Sequence, residues 1–89
     1  MSNEAGREIV KRLRQKVPLR SSHAHEVLAA YFGFQSHIAM KAASPDQYRY
    51  GDVETVRYRL SKLYNFNIDL SAEELCDMIK SIIENMANE

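Results

Sequence analysis

Three histidines, one cysteine and a pair of adjacent carboxylates are the residues of this 89-residue chain whose types could do chemistry. His23 and His25 stand two apart, which on a helix turns them to different sides. A zinc pair on one helix needs a spacing of three or four, and no second ligand motif accompanies His37 or Cys76. No metal is therefore expected. Cys76 lies beside an apolar stripe, with Glu73 and Asp77 close in sequence. Apolar and acidic surroundings raise a thiol pKa, whereas a reactive cysteine needs it lowered. Glu73 and Glu74 read as helix-start residues rather than an acid/base pair. A nucleophile elbow, a phosphate loop and a zincin helix are all missing. The expectation is no catalytic residue, no cofactor and no enzyme activity.

Residue types suited to binding are more plentiful. In Tyr48 to Lys62, Y-R-Y-G-D-V-E-T-V-R-Y-R-L-S-K, tyrosines alternate with cations. Tyr48, Arg49, Tyr50, Tyr58, Arg59 and Lys62 are the predicted partner-binding residues, because Tyr and Arg are enriched in binding hot spots. The same types can stack bases and hold phosphates. Asp46, Asp52 and Glu54 dilute the positive field, which favours a protein partner. The bland alternative is that the tyrosines cap the core with their hydroxyls in water.

Net charge is zero but unevenly distributed. Met1 to Arg20 carries six cations against two acids, and Ser71 to Glu89 carries one lysine against five acids. Two terminal helices packed side by side would explain this. A basic head that contacts phosphates would also explain it. On the second reading nucleic acid is the partner, with Arg7, Lys11 and Arg14 of the first helix and Gln35, His37 and Lys41 further on as contacts.

These residues must be positioned by helices. A first helix starts near Ser2 or Asn3, buries Ala5, Ile9, Val10, Leu13 and Val17, and ends before Pro18. Ser21 or Ser22 is expected to cap a second, with Ala24, Val27, Leu28, Tyr31 and Phe32 inward. Ala29 and Ala30 leave a smooth wall for a neighbouring helix. Gly33 ends it in the left-handed conformation, and Phe34 plugs the corner. Ser36 caps a short third helix, His37 to about Ala43, burying Ile38 together with Met40 or Ala39. Ser44 to Gly51 is a loop. Asp52 caps a fourth helix, to about Tyr64, with Val53, Val56, Leu60, Leu63 and Tyr64 inward and Tyr58 and Lys62 outward. Phe66, Ile68 and Leu70 anchor a connector. Ser71-Ala72-Glu73-Glu74 is a capping box. The last helix carries the strongest stripe, Leu75, Met78, Ile79, Ile82, Ile83 and Met86.

The glycine-cornered pair of helices resembles a DNA-binding helix-turn-helix, with Ala29 four residues before the turn glycine Gly33. Its second helix, however, offers few groups that read base edges. The run S-H-A-H-E-V-L-A-A-Y-F-G-F-Q-S-H-I-A-M-K-A is similar to a segment of small, mostly uncharacterised bacterial proteins. Their pattern is close to S-H-x-x-E-x-x-A-x-x-x-G-(F/Y)-x-S-x-x-A-x-x-A. Ser22, His23, Glu26, Ala29, Gly33, Phe34, Ser36, Ala39 and Ala42 match it, about a quarter of the chain. The resemblance implies an all-helical domain and brings no activity.

The fold class expected is all-α: one domain, a compact bundle of about five helices with a helix-turn-helix-like corner. A chain this short buries only about 60–65% of its unfolded surface. The wide Ile, Leu and Met stripe leaves both a monomer and a homodimer open. No stretch reaches the length of a membrane span, and the first residues lack an apolar signal core. A cytoplasmic, bacterial-type protein is expected, acting as a small interaction module on an unknown protein partner.

Overall fold

A computed structural model of the chain describes residues 3–63 and 69–89. These form α1 (Asn3–Lys16), α2 (Ser21–Tyr31), α3 (His37–Ala42), a 3-10 turn (Pro45–Gln47), α4 (Val53–Lys62) and α5 (Ala72–Ala87). No strand occurs among the described residues. The protein is an all-α bundle, as expected. The expectations for Ser2, Tyr64, Phe66 and Ile68 lie outside the described residues.

α2 is the central helix and packs against each of the other four. Ala24, Val27, Leu28, Ala29, Ala30, Tyr31 and Phe32 are all buried. The small wall of Ala29 and Ala30 is thus used, because helices close on α2 from more than one side. α1 contributes Ile9, Val10, Leu13 and Val17, and α5 contributes Leu75, Cys76, Ile79 and Ile82. Each large side chain so buried stabilises the fold by about 1.5–3 kcal/mol.

The helix ends follow from local chemistry. Phe34 N–H donates to Ala29 O (2.9 Å) and Gly33 N–H to Ala30 O (2.9 Å), the paired bonds of a Schellman motif. Gly33 supplies the required positive φ of 88°. Ser36 Oγ accepts from Ala39 N–H (3.0 Å), and Asp52 accepts from both Thr55 N–H (3.1 Å) and Thr55 Oγ1 (2.8 Å). The Ser71/Glu74 capping box closes reciprocally at 3.1 Å in each direction.

Two local expectations are corrected. Neither Ser21 nor Ser22 caps α2: the cap position is Arg20, with no side-chain cap bond. Buried Leu19 pins the chain just ahead, so the helix begins early and takes both serines into its first turn. In α3, Met40 is buried but Ile38 is 80% exposed and Ala39 is exposed too. The six-residue α3 packs on α2, and Ile38 lies two residues, about 200°, around the helix from Met40.

The loop after α3 is strapped across the end of α2. Arg49 N–H donates to Phe32 O (2.9 Å), and Asp52 N–H to Tyr31 O (3.0 Å). α1 and α5 pack side by side, and Arg12 bridges Glu8 (2.8 Å) and Glu89 (2.6 Å) at their margin. Among the described residues, the opposite charges of the two ends therefore meet at the Arg12–Glu89 pair. Arg7, Lys11 and Arg14 are not part of it.

Candidate binding surfaces

The Tyr48 to Lys62 segment does not form one strip. The Tyr48 ring packs on Phe32 (5.2 Å between centroids) and Phe34 (4.9 Å), and its hydroxyl donates to Met40 O (3.1 Å). Burial raises its pKa. Tyr48 thus fastens the loop to the helical corner. The stem of Arg49 lies over Gly33, leaving its side chain 79% exposed overall and 4.0 Å from Asp52. Arg59 is half-buried and stands 4.0 Å from Glu26. Arg57 is tied to Glu54 and Glu73. Tyr50 and Tyr58 remain, 72% and 60% exposed. Lys62 Nζ sits 5.5 Å from the Tyr58 ring centroid.

Tyr50 leans edge-on against Phe32 (5.3 Å) at the lip of a groove of ≈ 460 Å3 between the start of α4 and the side of α5. Tyr31, Val53, Cys76 and Ile83 give it an apolar lining, and Asp77, Lys80 and Glu84 add charge. Burial pushes the Cys76 thiol up to about 11, helped by Asp77 and Asp52. Tyr31 is raised chiefly by burial as well. Apart from Tyr50, the sequence reading assigned none of these residues to a site. They come from α2, the start of α4 and α5. Tyr31, Val53 and Ile83 read from the sequence only as inward apolar positions, and Cys76 as a neighbour of the last stripe, so no local signal joins them in one groove.

A second groove, ≈ 610 Å3, runs between α1 and the start of α2. Arg7, Lys11 and Arg14 line it, together with Ser21 and His25. Arg14 Nε donates to Leu19 O (3.0 Å), which holds that guanidinium in place. Among the described residues, no carboxylate lines the groove. Among the described residues, Arg7, Lys11 and Arg14 have no ion-pair partner. His25 Nδ1–H donates to Ser21 O (2.8 Å), and the centroid of its ring lies 4.6 Å from that of His37. His25 therefore links the first-helix cations to His37 of the corner. Gln35 and Lys41 are exposed near that corner.

Among the described residues, no three His, Cys, Asp or Glu side chains are grouped to hold a metal. No described helix is long and apolar enough to cross a membrane. No family model, curated protein or solved structure matches this chain.

Proposed function

We propose that this protein is a small non-enzymatic interaction module that binds another protein through the groove beneath Tyr50. The observation that carries this reading is Tyr50 itself, a largely exposed aromatic ring standing over an apolar lining. Tyrosine supplies much contact area at little entropic cost and is enriched in hot spots. Asp77 and Glu84 outnumber Lys80 at the groove, and α5 is acidic along its length. The fitting partner segment carries a large apolar residue flanked by basic side chains. The buried, protonated thiol of Cys76 suits packing rather than nucleophilic chemistry.

Affinity capture from the native cell, followed by titration of the purified partner, tests the reading. Tyr50→Ala should weaken that complex by about 30-fold, the loss expected for one hot-spot side chain. Equal affinity of wild type and Tyr50→Ala, with helicity unchanged, would remove the assignment.

A further inference from the structure

We infer that the groove between α1 and α2 is a binding site for the phosphate backbone of nucleic acid, separate from the Tyr50 groove. Among the described residues, its ionisable lining is Arg7, Lys11, Arg14 and His25, without a carboxylate. The three cations of α1 have no ion-pair partner among the described residues, although the same helix pairs Arg12 twice. A groove with one sign of charge focuses its field on an incoming anion.

The spacing favours a polymer over a single phosphate ion. Arg7 and Lys11 are one helical turn apart, about 6 Å along the axis, and Arg14 lies about 4.5 Å further. Successive cations at such intervals can follow a strand. His25 continues the line to His37, where α3 also bears exposed Lys41. Base-edge reading is not part of the site. α3 has six residues, about 9 Å of helix, and it exposes Ile38 rather than an amide or guanidinium. Binding is therefore independent of base sequence.

Fluorescence anisotropy with a labelled mixed-sequence oligonucleotide, single-stranded and as a duplex, tests the site. With three phosphates neutralised, affinity should fall roughly 20- to 40-fold between 50 and 200 mM salt. Arg7→Gln/Lys11→Gln should lower the magnitude of the logarithmic salt slope by about two. Arg7→Lys/Lys11→Arg should restore binding. Both positions are exposed, so helicity should persist and be checked by circular dichroism. Inorganic pyrophosphate is the competing small anion. No oligonucleotide binding at 50 mM salt overturns the inference. So does binding of pyrophosphate alone, or an unchanged salt slope in the glutamine variant.

Discussion

The imidazole of His25 on α2 faces that of His37, the first residue of α3, with centroids 4.6 Å apart and planes tilted by 55°. Burial holds His37 below the ordinary histidine pKa, and His25 and Lys41 push it the same way, while Glu26 opposes them. The unfolded chain therefore binds more protons at this residue than the folded chain does. Stability should fall as pH drops through about 6.5 and the unfolded histidine becomes charged. Urea midpoints at pH 7.5 and 5.5 measure this. His37→Asn should reduce the drop, and an identical drop in both proteins would show that His37 is not its source.

Gly33 and Gly51 both hold positive φ, 88° and 69°, but their surroundings differ. A Cβ on Gly33 would come within 3.1–3.3 Å of Arg49 Cδ, Cβ and Cγ, whereas one on Gly51 meets nothing within 4 Å. Gly51→Ala should cost about 1–2 kcal/mol from backbone strain alone. Gly33→Ala should cost more, and part of the excess should disappear in an Arg49→Ala background. Chemical denaturation of the four proteins gives the coupling.

Helix caps offer a sharper contrast. Asp52 accepts from two groups of Thr55, and Ser71 accepts from Glu74 N–H. Asp52→Ala and Ser71→Ala should each lose about 1 kcal/mol, with Asp52 the larger. Ser21→Ala and Ser22→Ala should change stability by less than about 0.5 kcal/mol, because neither serine caps α2. Thermal melts of the four variants separate the two classes.

Much of the fold was legible because its signals are local. Ser36, Asp52 and the Ser71/Glu74 box act on backbone groups three residues away, so spacing alone identifies them. Ser21 and Ser22 misled because burial of Leu19, a contact made in the folded chain, sets where α2 begins. Ile38 misled because apolar type says nothing about how many sides of a short helix are covered.

The binding surfaces divide along the same line. Composition and spacing alone determined an all-helical chain, its turn at Gly33, its basic head and acidic tail, and a face of α1 bearing Arg7, Lys11 and Arg14. Only the tertiary structure decided that Tyr48 is fastened to the corner while Tyr50, edge-on to Phe32, stays largely exposed. It also decided that Tyr31, Cys76 and Ile83 line one groove and that His25 joins Arg14's groove to His37. Helix periodicity orders side chains around one axis. Which axes lie side by side, and what is left open between them, depends on packing among residues distant in sequence.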